Sequence, residues 1–317
     1  MTVPDPFVLT FPGGRTLDCR PEGLLARGAH AMGILNVTPD SFSDGGRFTS
    51  LKAALSRAEA MLAEGAVILD AGGESTRPRG SAYGAGAQPV DEAEEIRRVV
   101  PVVESVARRF PEALVSVDTY KPGVAEAALA AGAHMVNDVT GLRLYPEMAA
   151  VCARFSVPLV VMHSTGRPGE MPHVAPMDDP VAEVVQVLEE AVARAEAAGV
   201  PSIVVDAGFG FGKTPSDNLV LVAASGQLRD RLNRPVLIGV SRKATIGALL
   251  GTPEAPVPVE ARLFGTLGVT AAGVFAGASI VRTHDVRETV ELLRGLAATW
   301  SARRMERGIP EASEPRP

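Results

Sequence analysis

The stretch SIVVDAGFGFGKT, Ser202–Thr214, can be read in two ways, and the choice decides the fold. From Ala207 to Thr214 it satisfies a relaxed phosphate-loop pattern, [Ala/Gly]-x4-Gly-Lys-[Ser/Thr], directly after an apolar run. A true phosphate loop has its lysine reach the phosphates and its Thr hold a magnesium ion. Here Asp206 stands at the strand tip where the cradle would begin, and a carboxylate there repels phosphate. No partner aspartate for the metal is evident in a doubly wound context. The other reading is a short strand, Ser202–Asp206, followed by a glycine-rich turn that lets the chain pass close beneath a flat ligand. Phe209 and Phe211 are then available to line it. The second reading accounts for Asp206, and the phosphate-loop match misleads.

Working outward, the same unit recurs. The apolar runs Met32–Val37, Ala66–Asp70, Leu114–Asp118, His134–Asp138, Pro158–His163, Ser202–Asp206, Pro235–Ser241 and Ser279–His284 are each followed by a segment of helical periodicity. Leu51, Leu55, Ala58 and Leu62 share one face, with Gly65 as a stop. Ile96, Val99, Val103 and Val106 share another, and Pro101 inside that pattern predicts a kink or two shorter helices. Pro122 suits a first helical position, and Gly132 closes that helix. Eight strand runs in strict alternation with eight helices predict a parallel sheet with right-handed crossovers. At this length the pattern favours an α/β (β/α)8 TIM barrel over an open sheet. Residues 1–30 read as a lead-in, in which FVLTFPGGRTLDC forms a β-hairpin placed to plug the barrel bottom. The barrel is expected over 31–302, with a frayed tail over 303–317.

Composition agrees with one large domain. The chain has 317 residues, 46% hydrophobic and 21% charged, enough for a substantial core. A net charge of −6 argues against general nucleic-acid binding, which needs a basic face, but leaves room for a small anion held by a few placed cations. Cys19 and Cys152 fit no zinc spacing and suggest a reducing compartment. No signal peptide and no apolar run approaching about 18 residues is evident, so a soluble cytoplasmic protein is expected, with no membrane and no nucleic-acid partner.

The chemistry gathers at the C-terminal ends of the runs, where barrel enzymes build their sites. Asn36, Asp118, Asn137, His163, Asp206, Ser241, Arg242, Lys243, Arg282 and His284 all fall there. Any one of them could be a helix cap or turn former, and Asp118 and Asn137 could be a structural network filling the barrel mouth. Together they converge. Asp206 can accept parallel hydrogen bonds from an amino group and an adjacent ring N–H. Asn137 offers a donor and an acceptor, Asp118 a further acceptor, and Lys243 a donor to a carbonyl or ring nitrogen. A 2-amino-4-oxo heterocycle such as a pterin or guanine displays that edge. Arg77, Arg242, Lys243 and Arg282 add cations, and Arg282 and His284, spaced two apart, point to one side as an anion pocket. His163 reads as a hydrogen-bonded mouth residue. The loops NVTPDSFSDGGRF and GGESTRPRGSAYGAGAQPV are long enough to serve as lids.

In this order, GILNVTPDSFSDGG, DAGGESTRPRG, VSVDT, NDVTG, VVMH, DAGFGFGKT, GVSRK and VRTHDV resemble dihydropteroate synthase, over about Gly33 to Val286. The resemblance implies a (β/α)8 barrel, usually a homodimer, that joins 4-aminobenzoate to 7,8-dihydropterin-6-ylmethyl diphosphate and releases pyrophosphate. It places Asp118, Asn137, Asp206 and Lys243 on the pterin, with Met162 and Phe211 packing near the ring. Asn36, Arg282 and His284 would meet the pyrophosphate and its Mg²⁺, Asn36 being the metal contact. Thr76, Arg77 and Ser241 would position 4-aminobenzoate, with Phe42 closing over it and Asp40 ordering the lid. The implied path, loss of pyrophosphate before attack by the amine, needs electrostatic stabilisation more than a strong base.

The chain departs from the family pattern at Ala207, where proline is common, and in a longer second loop with Arg79 where glycine often follows the proline. Two rivals share the pterin cradle. A pterin-dependent methyltransferase has no diphosphate to hold, whereas SRK and RTH suit one. A non-catalytic pterin-binding paralogue would lose loop or anion residues, and none is missing here.

Overall fold

The computed structural model describes residues 5–37, 46–75, 89–167 and 176–306, without the side chains of 25–27, 46–50 and 303–306. Eight parallel strands close into a barrel: β3 (His30–Asn36), β4 (Ile68–Gly72), β5 (Leu114–Asp118), β6 (Met135–Asp138), β7 (Leu159–Met162), β8 (Ile203–Asp206), β9 (Val236–Ile238) and β10 (Ile280–Thr283). Closure pairs β10 with β3 and leaves no free sheet edge. The expected barrel is therefore present.

Ahead of it, β1 (Val8–Thr10) and β2 (Thr16–Asp18) form an antiparallel hairpin around the Pro-Gly-Gly turn. Leu9, Phe11, Leu17 and Cys19 pack against Met32, Ile68, Leu114, Met135, Val160, Val204, Leu237 and Ile280, one residue from each barrel strand. The hairpin thus plugs the bottom as its sequence predicts. A short helix, α1 (Pro21–Arg27), which the sequence reading did not anticipate, leads from the plug to β3.

The remaining helices are α2 (Gly46–Glu64), α3 (Glu92–Arg109), α4 (Pro122–Ala130), α5 (Met148–Phe155), α6 (Pro180–Ala197), α7 (Pro215–Ala223), α8 (Ser225–Leu232), α9 (Ala244–Leu250), α10 (Leu263–Ala276) and α11 (Val286–Glu306). Strict alternation is broken twice: both α7 and α8 follow β8, and both α9 and α10 follow β9. The α3 segment also differs from expectation, running unbroken through Pro101. Pro101 and Arg97, four residues earlier, both lie on the exposed face, so water can serve the carbonyl that proline leaves without a donor. The buried stripe Val99, Val102, Val103 and Val106 offsets the cost of about 3 kcal/mol. Residues beyond 306, where a frayed tail was expected, lie outside the described region.

Strand periodicity turns this scaffold into a site. Side chains two apart share a face. Going up each strand from the apolar layer at the plug, Ile68 is followed inward by Asp70, Leu114 by Ser116 and Asp118, Met135 by Asn137, Val204 by Asp206, and Ile280 by Arg282. The lumen therefore changes from apolar to polar along its axis. Both cysteines are buried and unbridged, and no described helix is long and apolar enough to cross a membrane.

Candidate active site

The polar layer at the barrel mouth is organised around Arg282. Its Nε donates to Asp70 Oδ2 at 2.6 Å, and its Nη2 donates to Asp118 Oδ2 at 2.6 Å. Burial opposes the guanidinium charge, but Asp70 and Asp118 outweigh it and hold the pKa above the ordinary arginine value. Asn137 joins the network by donating Nδ2–H to Asp70 Oδ2 at 3.1 Å. Asp118 keeps Oδ1 buried without a partner among the described residues. Burial pushes its carboxyl up to about 7, with Arg282 pulling it back and Asp70 and Glu95 adding to the rise.

Across the mouth, Asp206 accepts the Gly208 N–H on Oδ1 at 2.7 Å. Burial raises its pKa, against the opposing pull of Lys243. Lys243 immediately precedes α9, donates to the Phe209 carbonyl and sits 4.2 Å from the Phe211 ring centroid. Burial pushes this lysine down to about 7, and Asp206 works to restore its charge. Phe211 in turn packs with Met162, Val139 and Tyr120. The result is a flat apolar wall beside a ring of directional polar groups.

The glycine-rich turn shows why the phosphate-loop pattern fails. Gly208, Gly210 and Gly212 all have positive φ, a conformation that glycine adopts without a side-chain clash. The alternation folds the turn around Lys213, which is 2% exposed and donates to the carbonyls of Gly208, Phe211 and His163 at 3.0, 3.2 and 3.3 Å. A lysine committed to three carbonyls is not reaching out to phosphate. Thr214 instead caps α7 through a reciprocal pair with Asp217.

The other expected residues divide. Ser241 Oγ lies 3.0 Å from His284 Nδ1 and accepts the His284 backbone N–H at 3.1 Å, so these two meet at the rim. Burial pushes His284 down to about 4, helped by Arg282, which leaves the imidazole neutral near pH 7. Arg242, read as one of the cations at the strand ends, is bound through Nε and Nη2 to Asp285. His163 is buried at the end of β7, with its Nδ1 unpartnered among the described residues. Burial drives it down to about 3. Asp40, Phe42, Thr76 and Arg77, with both expected lids, lie outside the described residues.

Residues 32–284 match the pterin-binding enzyme family. Dihydropteroate synthase of Escherichia coli K12 is 44% identical over 280 residues, 88% of this chain and 94% of that protein. The solved Xanthomonas albilineans dihydropteroate synthase with 4-aminobenzoic acid superposes with a TM-score of 0.78 at 40% identity, covering 96% of this chain and 99% of that one. The same organism's enzyme in complex with 7,8-dihydropteroate gives 0.75 at 38% identity, covering 94% and 98%. The chain belongs to the dihydropteroate synthase family. The methyltransferase and the silent paralogue do not fit these relatives, so the transferase reading holds.

Three features of this synthase site escaped the sequence reading. Asp70 is fully buried in the network. Lys213 ties the turn. The third is a buried cluster beside Tyr120, in which Lys121 Nζ donates to Glu95 Oε2 and the Val90 carbonyl, each at 2.6 Å, and to Glu74. As for a metal, no group of three or more His, Cys, Asp or Glu is poised to hold one among the described residues. Asn36, exposed at the end of β3, offers one hard carboxamide oxygen. That donor suits a magnesium ion that arrives with a diphosphate and keeps much of its water, not a preformed cage.

Proposed function

We propose that the chain condenses 4-aminobenzoate with 7,8-dihydropterin-6-ylmethyl diphosphate to form 7,8-dihydropteroate and pyrophosphate. The observation that carries this reading is the cradle itself. Buried acceptors Asp118 and Asp206 and the amide of Asn137 face a mouth closed on one side by Phe211 and Lys243. Such a ring of opposed donors and acceptors fits the 2-amino-4-oxo edge of a pterin.

In this reading Asp206 accepts from the exocyclic amine and the neighbouring ring N–H, while Asp118 and Asn137 hold the far side of the ring. Lys243 donates to the ring carbonyl or a ring nitrogen, and Met162 and Phe211 pack on the ring face. Arg282, His284 and Asn36 meet the diphosphate. Magnesium, held by Asn36 and the diphosphate oxygens, would neutralise the leaving group. The bond between the pterin methylene carbon and the diphosphate oxygen breaks with its electron pair going to oxygen. The aromatic amine nitrogen then attacks the methylene and loses a proton. No group in the described site has the character of a strong base, and this path asks for none, because fixed charges around the departing anion carry the catalysis. Thr76, Arg77 and Ser241 are assigned to the aminobenzoate, and Phe42 and Asp40 to the loop that closes over it.

We also propose a homodimer. Phe264, 83% exposed, with Leu249, Leu250, Val259 and Phe275, leaves α9, α10 and their connection with uncovered apolar side chains. Two buried, unbridged cysteines support a reducing, cytoplasmic setting.

The test is pyrophosphate release on mixing the protein with the dihydropterin diphosphate and Mg²⁺, with and without 4-aminobenzoate. Release that depends on 4-aminobenzoate, with dihydropteroate as product, is expected. Tight pterin binding without product would overturn the proposal in favour of a binding protein.

A further inference from the structure

Asp70 occupies an unusual position for a carboxylate. It is 0% exposed, midway along β4, and its Oδ2 accepts from Asn137 Nδ2 at 3.1 Å and from Arg282 Nε at 2.6 Å. These two donors come from β6 and β10, so one oxygen atom joins strands that are not neighbours in the sheet. Its other oxygen, Oδ1, is buried without a partner among the described residues. An unsolvated carboxylate is costly unless paired. Asp70 is kept here by Arg282, and what it does in return follows from hydrogen-bond polarity.

A side-chain amide has one donating and one accepting end. Asn137 has no choice about which end faces Asp70, since only its N–H₂ can meet a carboxylate without repulsion. Its Oδ1 is thereby turned away from Asp70 and presented as an acceptor. Arg282 is fixed in the same way. With Nε spent on Asp70 and Nη2 on Asp118, Nη1 has no hydrogen bond among the described residues. We infer that Asp70 is a positioning residue that sets the hydrogen-bond polarity of the pterin cradle, fixing the amide of Asn137 and the guanidinium of Arg282 without itself touching the substrate. The inference rests on the pterin reading proposed above.

The network also gives Asp70 an electrostatic signature. Asp118 is faced by Arg282, Asp70, Glu95 and Lys243, and of these Asp70 and Glu95 raise its pKa. Removing the Asp70 charge therefore lowers the pH at which Asp118 ionises, a displacement that a purely space-filling role would not cause.

The test compares wild type with Asp70→Asn by titration with a dihydropterin that lacks the diphosphate, and by steady-state kinetics. Wild type must bind the pterin first. If it does not, the pterin reading fails, whatever Asp70 does. Given wild-type binding, Asp70→Asn is expected to weaken pterin affinity about 10- to 100-fold, as for loss of buried charge-assisted hydrogen bonds. KM for 4-aminobenzoate is expected within about twofold of wild type, since the two donors that Asp70 holds, Asn137 and Arg282, are assigned to the pterin and the diphosphate. Adding Asn137→Ala to Asp70→Asn is expected to cost less than the sum of the two single changes, because both act on the Asn137 amide. Unchanged pterin affinity in a folded Asp70→Asn, or fully additive effects, would overturn the inference. If Asp70→Asn does not fold, Arg282→Gln and Arg282→Gln with Asp70→Asn replace it, the double variant leaving one buried carboxylate where the single leaves two. Weaker pterin binding in the double variant supports the role, and equal binding removes it.

Discussion

The Lys243 ammonium lies 4.2 Å from the centroid of the Phe211 ring, so the cation and the aromatic wall of the cradle are one unit. The same nitrogen donates to the carbonyl of Phe209, two residues earlier in that turn. A cation over an aromatic face contributes about 2 kcal/mol when desolvated. Lys243→Met removes both the cation and the donor, and Asp206, already pushed toward its neutral form by burial, can then take up a proton. The fold is expected to persist while pterin affinity falls about 100-fold. Phe211→Leu keeps the apolar volume and loses the ring, with an expected loss of about tenfold. Calorimetric titration with a non-reactive dihydropterin reads both. A folded variant that binds as wild type does would remove its residue from the cradle.

Lys213 and Gly208 carry a separate prediction about the turn. Lys213→Met leaves three carbonyls without their donor, at a cost of about 3 kcal/mol in urea unfolding. Gly208→Ala is worse, because φ is +72° and the added Cβ would lie 1.8 Å from the His163 carbonyl oxygen. This variant is expected not to accumulate as folded protein. Neither wild type nor Lys213→Met is expected to bind ATP in an equilibrium assay, and measurable ATP affinity lost in Lys213→Met would revive the phosphate-loop reading.

How much of this was legible beforehand depends on which physical signal each residue leaves. The barrel was readable because apolar runs recur eight times with polar residues at or beside their ends, Asp206, Asn137 and Asp118 among them. Asp70 ends the expected run Ala66–Asp70, yet the strand itself continues to Gly72, so the side chain lies inside the lumen and not at its rim. Its signal was present: it follows Ile68 by two and so shares the lumen face. Glu95 left a comparable mark, a charge on the same buried stripe as Val99 and Val103. Lys213 left none, since a sequence pattern fixes the spacing of a lysine and not the direction it points. The second helix after β8 was hidden because the break at Ala224 has no proline to mark it, whereas the break after β9 did leave a mark, in Gly251, Pro253, Pro256 and Pro258.

The N-terminal plug is expected to be part of the barrel's stability and not an appendage. Phe11 is 2% exposed and packs into the apolar layer to which all eight barrel strands contribute. Phe11→Ala is expected to cost about 3–5 kcal/mol, the range for emptying a large aromatic site. The strand-end residues lie at the opposite end of the lumen, so pterin affinity of the remaining folded fraction is expected to stay near wild type. Urea unfolding with a parallel titration checks both. A cost under about 1 kcal/mol would mean that the hairpin sits loosely on the barrel.

The dimer proposal has a direct test at Phe264, which is 83% exposed. Phe264→Glu places a charge on that surface and removes little from the monomer's own core. Light scattering after size exclusion is expected to show wild type as a dimer and the variant shifted toward monomer, with matching circular dichroism. A wild type that runs as a monomer at micromolar concentration would sink the proposal, as would a variant that stays fully dimeric.

Asp118 gives the pH dependence. Burial raises its folded pKa to about 7, whereas in the unfolded chain it titrates at about 3.9. Between about pH 4 and 7 the folded state therefore binds more protons at this site than the unfolded state. Its contribution to stability is fully present below the unfolded pKa and is lost as pH rises through the folded one. Asp118→Asn removes the titration. The stability of wild type minus that of the variant is expected to be most favourable to wild type near pH 4, to decline toward pH 7, and to stay level above. His134, His163 and His284 are driven down to about 4, 3 and 4, chiefly by burial, and act in the opposite sense over the acid range. They are present in both proteins and largely cancel in the difference. Urea unfolding of the pair across this range measures it, and a difference independent of pH would place the raised pKa on another group.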